Sequence, residues 1–216
     1  MSALAIHSGP LGYDGQTVLQ PVSLDIQAGE QLILLGKSGC GKSTLLNHIY
    51  TENRKECALI PQGLGLVDRL SVFHNIYMGR LSHYGLLHNL RNLVMPAAAR
   101  VDEILPLLER LGLSDKCFAT VADLSGGQRQ RVAVARALYQ GASVLLADEP
   151  VSALDGPEAD RVMSLLNQHF NTAVITLHDV ERALRYGQRI IAIQHGEVVL
   201  DEPAKRLSVN TLNAFY

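Results

Sequence analysis

A short apolar run leads straight into a glycine-rich segment, and this junction constrains the fold more than any other part of the chain. Gln31–Leu35 reads as a buried strand, residues 36–43 read GKSGCGKS, and residues 43–50 carry a helical pattern. The glycine-rich segment matches GxxxxGK[ST], in which glycines let backbone N–H groups turn inward around phosphate oxygens. The N-terminus of the following helix adds its partial positive charge. The junction predicts a strand–loop–helix unit that binds phosphate.

Each polar position of this loop has an expected task. Lys42 can reach the β- and γ-phosphates of a nucleotide, and the Ser43 hydroxyl can ligate Mg²⁺. The alternative is a glycine- and serine-rich turn that happens to precede a helix, but the correct flanking elements argue against it. Cys40 is interpreted as a bystander. The residues predicted to surround the nucleotide phosphates are Gly36, Lys37, Ser38, Gly39, Cys40, Gly41, Lys42, Ser43 and Thr44.

Further apolar runs place this loop in a larger sheet. They occur at residues 57–60, 143–147, 173–177 and 189–194. Continuous apolar strands separated by helices predict an α/β fold with a mainly parallel sheet covered on both faces. The first thirty residues read instead as short antiparallel strands at 3–7, 17–19 and 22–26, with turns near 14–15 and 28–29.

The middle of the chain, residues 71–140, has no strong strand signal and predicts a helical subdomain inserted in a single domain that spans residues 1–216. Residues 97–111 have apolar side chains at helical spacing, and Pro106 is expected to kink or split that helix. Near the end, residues 189–200 predict a hairpin that turns at 195–196, followed by a short tail helix.

Composition narrows the class of protein. The net charge of −2 gives no basic excess that would indicate nucleic acid as the main partner. The three cysteines, Cys40, Cys57 and Cys117, form no CxxC pair and favour a reducing cytosol. Neither a secretory signal nor a run of roughly 18 apolar residues is visible, so we expect a soluble cytosolic domain.

A second anion-binding element is predicted at residues 124–128, which read LSGGQ. Ser125 and Gln128 form a capping box, so the segment also has a plain reading as the start of a helix. Gly126 and Gly127 argue for more, because adjacent glycines weaken a helix start but expose N–H groups to an anion. An apolar strand ending in Asp148-Glu149 follows, and a carboxylate pair at a strand end suits a Mg²⁺-nucleotide site.

Together these motifs resemble the ATP-binding cassette (ABC) family over essentially the whole chain, and imply its P-loop NTPase fold. Residues 124–128 resemble the family's signature motif, and residues 144–149 its Walker B strand. Residues 152–155, SALD, resemble the D-loop. Gln62 resembles the Q-loop glutamine, His178 the switch histidine, and Tyr13 the aromatic residue that stacks on adenine.

The resemblance implies a site shared by two chains. Two cassettes pair head to tail, and each ATP lies between residues 36–44 of one chain and Ser125, Gly126, Gly127 and Gln128 of the other. Asp148 would hold Mg²⁺ through water, and Glu149 would act as general base on the attacking water. His178 would contact the γ-phosphate, and Gln62 would contact Mg²⁺ or the attacking water. The other histidines, including His74, His83 and His88, are interpreted as surface or packing residues.

One departure from the family pattern concerns Gln62, which lies only eighteen positions after Thr44. Family members usually have a longer segment there, so the path into Gln62 and the packing beside it stay open. Residues 50–56 read as a short polar connection. Because the catalytic set is complete, we interpret the chain as a shortened but active cassette.

A finer resemblance, carried by residues 66–72, 79–81, 146–151 and the ending Phe215-Tyr216, indicates phosphonate-type importers. It implies a homodimer at the cytoplasmic face of the bacterial inner membrane, a separate permease and, indirectly, an extracytoplasmic substrate-binding protein. Residues 62–80 would meet the permease, and Leu64, Leu66, Val67 and Phe73 fit either that surface or the core. Alternatives are an exporter or lipoprotein-release ATPase, a soluble ABC ATPase acting on nucleic acid, and an ATP-gated scaffold.

Overall fold

A six-stranded sheet forms the centre of the molecule. The computed structural model describes residues 2–13 and 15–215. Five strands of the sheet are parallel, and the last is an antiparallel edge strand. In spatial order the strands are β10 (Glu197–Pro203), β9 (Arg189–Gln194), β5 (Gln31–Leu35), β8 (Thr172–Thr176), β7 (Val144–Asp148) and β6 (Cys57–Ile60).

Both faces of the sheet are covered, as the continuous apolar strands predicted. Every residue of β5, β7 and β8 is buried. Because successive side chains of a strand point to opposite faces, Leu32 and Leu34 belong to one core, whereas Ile33 and Leu35 belong to the other. The α/β fold with a mainly parallel sheet is confirmed.

The N-terminal region is antiparallel, also as predicted. β1 (Ser2–Ser8) pairs with β4 (Val22–Gln27), and β2 (Leu11–Tyr13) pairs with β3 (Gln16–Leu19). The expected turn at 14–15 includes Asp14, which lies outside the described residues. β2 was not predicted, since three residues with a central glycine carry no alternating pattern. Apolar residues of β1, β3 and β4 share a core with α1 (Lys42–Glu52) and so cover one face of the sheet.

Helices cover the other face. The segment between β6 and β7 contains α2 (Val72–Tyr77), α3 (Leu86–Val94), α4 (Ala98–Arg110) and α5 (Gly126–Gln140), with short 3₁₀ turns between them. α6 (Gly156–His169) and α7 (Val180–Tyr186) follow β7 and β8. Phe73 on α2 is fully buried, which places it in the core, whereas Val67 is exposed and Leu64 and Leu66 are partly buried.

Pro106 does not split its helix, so the expectation of a split was wrong. α4 runs without interruption from Ala98 to Arg110 with Pro106 inside it. A proline removes one N–H donor and leaves the carbonyl four residues earlier, that of Asp102, without its helical partner. Both Pro106 and Asp102 are exposed, so water can satisfy the freed carbonyl.

The short path into β6 is compact. α1 continues to Glu52, so the polar connection is shorter than residues 50–56. The Asn53 side chain then donates to the carbonyl of Ile49 at 2.9 Å, and the Asn53 carbonyl accepts from the Cys57 backbone at 3.1 Å. One tight turn therefore brings the chain from α1 to β6 at the edge of the sheet.

The C-terminal part also follows the prediction. β9 and β10 form a hairpin whose two turn residues, His195 and Gly196, both have positive φ, as a tight two-residue hairpin turn requires. The tail consists of a 3₁₀ turn at Ala204–Arg206 and α8 (Val209–Asn213). None of the helices in the described part of the chain is long and apolar enough to cross a bilayer.

Candidate functional site

The loop after β5 has a backbone that only glycine accommodates. Gly36 has φ of 144°, and a Cβ atom there would lie 2.3 Å from the carbonyl oxygen of Ile193. At the other end of the loop, Gly41 caps α1 in a left-handed conformation without any side-chain hydrogen bond. The first N–H groups of α1 are therefore not covered by a capping side chain, which suits binding of an anion.

Lys42 lies inside this loop. Its side chain is buried, and Nζ donates to the carbonyls of Gly36 at 2.6 Å and Lys37 at 3.0 Å. Lys37, Ser38, Gly39 and Cys40 line a cavity of about 250 Å³ that also includes His195 from the β9–β10 hairpin. The loop therefore holds an ammonium group within one concave segment at the start of α1.

The carboxylate pair lies at the same end of the sheet. Asp148 is the last residue of β7 and pairs in register with Thr176 of β8. Thr176 also pairs with Leu34 of β5, which lies two residues before Gly36. The Thr176 hydroxyl donates to Asp148 Oδ1 at 2.6 Å and accepts from the Glu149 backbone N–H at 2.9 Å. A single buried threonine thus orients both acidic residues.

Glu149 and His178 are in direct contact. His178 Nε2 lies 2.5 Å from Glu149 Oε1, and Glu149 has a positive φ of 53°. A non-glycine residue in this conformation is uncommon and persists where surrounding contacts hold it, often at functional sites. His178 was expected at the γ-phosphate. The structure places it against the carboxylate expected to be the general base, and the phosphate contact stays a prediction.

Ser125 caps α5 as predicted. Its hydroxyl accepts from the Gln128 backbone at 3.3 Å, and the Gln128 side chain accepts from the Ser125 backbone at 2.9 Å. Gly127 is packed closely against Ala153 and Leu154, whereas a Cβ atom on Gly126 would find no neighbour closer than 3.9 Å. Across the described residues, no hydrogen bond joins residues 125–128 to residues 36–44.

Gln130 connects this helix start to the backbone of Glu149, and the sequence reasoning missed it. Its side chain is buried; Nε2 donates to the Glu149 carbonyl at 2.7 Å, and Oε1 accepts from the Ala153 backbone at 2.8 Å. A usable signal was present, since Gln130 shares a helix face with the apolar residues Val134 and Ala137. A polar side chain on an apolar face needs a buried partner.

We expect Gln130→Leu to lower kcat for the ATP hydrolysis that the resemblance implies about tenfold. It should also lower the free energy of unfolding by about 1–3 kcal/mol, because the Glu149 carbonyl and the Ala153 N–H each lose a hydrogen bond. Gln130→Glu, which keeps the acceptor for Ala153, should recover part of the loss. Gln140→Leu is a matched control, since Gln140 on the same helix donates to the distant Cys57 carbonyl at 3.1 Å. Equal kcat losses in Gln130→Leu and Gln140→Leu would contradict a positioning role for Gln130.

α5 also holds the segment that follows Gln62. Arg136 donates to the carbonyls of Leu64 at 2.5 Å and Gly65 at 2.6 Å, and Leu64 has a positive φ of 59°. Burial lowers the pKa of Arg136. Gln62 itself is exposed, one residue after Pro61 at the end of β6. The structure therefore fixes the loop beside Gln62, and the predicted contact of Gln62 with Mg²⁺ or water stays untested.

Tyr13 and the remaining histidines and cysteines have simpler environments. Tyr13 at the end of β2 is 57% exposed, which leaves its ring available for stacking. His74 bonds Ser71, His88 stacks on Tyr84, and His83 is exposed, in line with packing and surface roles. Burial, with a contribution from Glu56, raises the pKa of Cys57 to about 12. Burial also raises the pKa of Cys117.

The donor set near the loop fits Mg²⁺ better than a metal that needs a cage of protein ligands. In the part of the chain that the structure describes, no three His, Cys, Asp or Glu side chains cluster as a metal site. Mg²⁺ typically uses one or two protein oxygens together with water and substrate phosphates. Ser43 at the start of α1 and Asp148, which receives one hydrogen bond from Thr176, supply that kind of oxygen.

Comparison with known proteins identifies the family. The family model described as "ABC transporter" matches residues 19–152. The phosphonates import ATP-binding protein PhnC 2 of Cupriavidus metallidurans is 38% identical, over 94% of this chain and 82% of its own length. The phosphonates import ATP-binding protein PhnC of Pseudomonas putida is 37% identical, over 100% of this chain and 90% of its own length.

Solved structures agree with the sequence relatives. An ATP-binding cassette solved as a dimer in a post-hydrolysis state with ADP and Pi has a TM-score of 0.77 and 28% identity, covering 94% of this chain and 97% of its own. The dimeric structure of a bacterial ABC transporter cassette has a TM-score of 0.79 and 27% identity, covering 93% of this chain and 99% of its own. The matched motifs, the fold and these relatives lead to one conclusion: the chain belongs to the ABC transporter family and is one of its ATP-binding cassettes.

Proposed function

We propose that this chain is the ATP-hydrolysing subunit of an ABC importer, which dimerises head to tail around two ATP molecules and drives a separate membrane permease. The observation that carries the proposal is the group formed by Asp148, Glu149, Thr176 and His178 at the end of the sheet that also bears the phosphate loop. We further propose that the chain is a single nucleotide-binding domain with a helical subdomain at about residues 71–140.

In the proposed reaction, backbone donors of residues 36–42 and the Lys42 ammonium bind the β- and γ-phosphates. Ser43, Asp148 and Gln62 would hold Mg²⁺, which would supply positive charge against the charge on the phosphates. Glu149 accepts a proton from the attacking water while the water oxygen bonds to the γ-phosphorus. The bond between the γ-phosphorus and the oxygen that bridges it to the β-phosphate breaks, and the products are ADP and Pi. Tyr13 stacks on the adenine.

Two features support a role for His178 in orienting Glu149. The Nε2–Oε1 contact of 2.5 Å fixes the position of the carboxylate, and Thr176 fixes its backbone. A base must lie within hydrogen-bond reach of the water it activates, so a fixed carboxylate is more effective than a mobile one.

In the assembled dimer, the second chain binds the γ-phosphate through Ser125, Gly126, Gly127 and Gln128.

The substrate proposal rests on the relatives. Proteins at 37% and 38% identity carry the name phosphonates import ATP-binding protein, and they match this chain over nearly its whole length. We therefore propose import of phosphonate or a related phosphorus compound. The subunit would lie on the cytoplasmic face of the bacterial inner membrane, beside a permease that receives substrate from an extracytoplasmic substrate-binding protein.

The proposal is tested by isolating the chain with its co-purifying membrane proteins and reconstituting the complex in liposomes with the matching substrate-binding protein. We expect an alkylphosphonate to stimulate ATP hydrolysis severalfold, whereas the sulfonate of the same alkyl chain should not. A purified chain that finds no membrane partner, and whose ATP hydrolysis responds to DNA in a salt-sensitive manner, would favour a nucleic-acid role instead.

A further inference from the structure

Helix α3 has its polar and apolar faces reversed. Its apolar residues are all exposed, with Leu87 83% and Val94 87% accessible. At about 100° per residue the apolar side chains occupy an arc of about 120° on one side of the helix. They are Leu86, Leu87, Leu90, Leu93 and Val94, which we call the α3 apolar face.

The opposite side of α3, which faces the protein, is polar. Asn89 accepts from the Tyr77 hydroxyl at 2.7 Å and donates to the carbonyls of Leu81 at 3.0 Å and Tyr84 at 3.1 Å. Asn92 is buried and accepts from the Ala97 backbone at 2.9 Å. These bonds fix the rotation of the helix about its axis, so the apolar face cannot turn inward without breaking them.

The sequence around α3 lacks acidic residues. None occurs between Asp68 and Asp102, although the whole chain has a net charge of −2. Of the arginines in this stretch, Arg80 stacks on Tyr139 and Arg100 pairs with Glu103 at 2.8 Å. Arg91 lies on α3 next to the apolar arc and is exposed, and its side chain forms no ion pair within the described residues. His88 is also exposed and lies on the same side of α3 as Asn92, one helical turn earlier.

We propose that the α3 apolar face, with Arg91 at its edge, rests on an anionic lipid surface. Amphipathic helices that lie in a membrane interface combine an aliphatic face with flanking basic residues, and anionic headgroups attract the basic edge. A protein partner fits less well, because protein interfaces are enriched in aromatic residues, whereas the α3 apolar face contains only Leu and Val. A contiguous exposed apolar face requires some cover.

The lipid contact extends the proposed function without depending on it. A peripheral ATPase without a membrane-crossing helix would gain a second point of attachment beside its permease. The contact is carried by the chain alone, so it can be measured in the absence of any permease. Failure of the importer assignment and failure of the lipid contact are therefore distinguishable.

The test is co-sedimentation of the purified full chain with large vesicles of phosphatidylcholine, with and without phosphatidylglycerol. We expect binding that is severalfold stronger with phosphatidylglycerol and weakens as salt rises, since charge screening reduces the attraction of Arg91. Leu87→Gln/Val94→Gln should reduce binding at least about fivefold, and Arg91→Gln should reduce it to a smaller extent. Leu87 and Val94 are both exposed, so the double variant should still fold. Circular dichroism and ATP binding verify that it does.

The matched control is Val199→Gln/Val209→Gln, which removes two exposed apolar side chains outside α3 and should bind vesicles like the unaltered chain. Absence of vesicle binding, or equal loss in both double variants, would overturn the proposal. So would a Leu87→Gln/Val94→Gln chain that binds vesicles normally but no longer co-purifies with a membrane protein, because the face would then belong to a protein partner.

Discussion

Replacing Glu149 by glutamine is expected to lower the rate of ATP hydrolysis by about 10²- to 10⁴-fold while ATP binding persists. Glutamine keeps the size of the side chain but cannot accept a proton from water. The backbone bond from the Glu149 N–H to Thr176, at 2.9 Å, does not involve the side chain and should be retained. The loss should therefore appear in kcat and not in the affinity for ATP.

The same variant should accumulate as a dimer when ATP and Mg²⁺ are present, because the sandwiched nucleotide is no longer consumed. Size-exclusion chromatography with multi-angle light scattering measures the shift, and single-turnover kinetics measures the hydrolysis step. Glu197→Gln on the exposed β9–β10 hairpin is the control and should behave like the unaltered chain. A Glu149→Gln chain with an unchanged turnover number would show that another group acts as the base.

Much of the fold could be predicted because its strands are buried on both faces. Gln31–Leu35, Cys57–Ile60 and Arg189–Gln194 have the predicted limits, since a continuous apolar run bounded by polar residues leaves little choice of boundary. Pro106 misled because its effect on a helix depends on which side of the helix faces water. That information exists only after α4 has packed.

The positions of the site motifs could be read from the sequence, but the contacts between them could not. Thr176 joins Asp148 to Glu149 because β7 and β8 pair in one particular register. Gln130 reaches Glu149 only because α5 packs beside the end of β7. Register and helix packing are properties of the folded chain, and no local pattern in the sequence specifies them.

These contacts give α5 a role that its first turn alone does not suggest. The helix begins at the glycines expected to meet the ATP of the second chain, holds Glu149 through Gln130, and holds the loop after Gln62 through Arg136. A nucleotide bound at the start of α5 would therefore contact a helix that is already hydrogen-bonded to the backbone of Glu149 in the same chain.

Gly126→Asp tests whether the start of α5 serves the other chain's nucleotide. The new Cβ atom meets nothing closer than 3.9 Å, and an acidic residue at a helix N-terminus is favourable to the helix. The carboxylate would, however, repel a γ-phosphate brought by a second chain. We expect the variant to fold and bind ATP through its own loop, yet to lose at least about 10²-fold in kcat. Gly126→Asn, of the same size but neutral, should lose less.

Mixing two inactive variants then separates a shared site from a site within one chain. Lys42→Ala removes the ammonium that lies inside residues 36–42 but leaves the start of α5 intact. Gly126→Asp alters the start of α5 but leaves Lys42 and its loop intact. In an equal mixture half of the dimers pair one chain of each kind, and each mixed dimer contains one intact site and one doubly altered site. Hydrolysis should recover to about a quarter of the rate of the unaltered protein.

The recovery depends on which chain supplies each half of the site, and not on how far either substitution alone lowers hydrolysis. If residues 125–128 acted on the nucleotide of their own chain, every chain in the mixture would carry one defect, and mixing would restore nothing. A mixture as inactive as its components, with mixed dimers verified by differently tagged chains, would contradict the shared site. Recovery near a quarter would assign the two glycines to the partner's ATP, which neither the capping box nor the fold of one chain can establish.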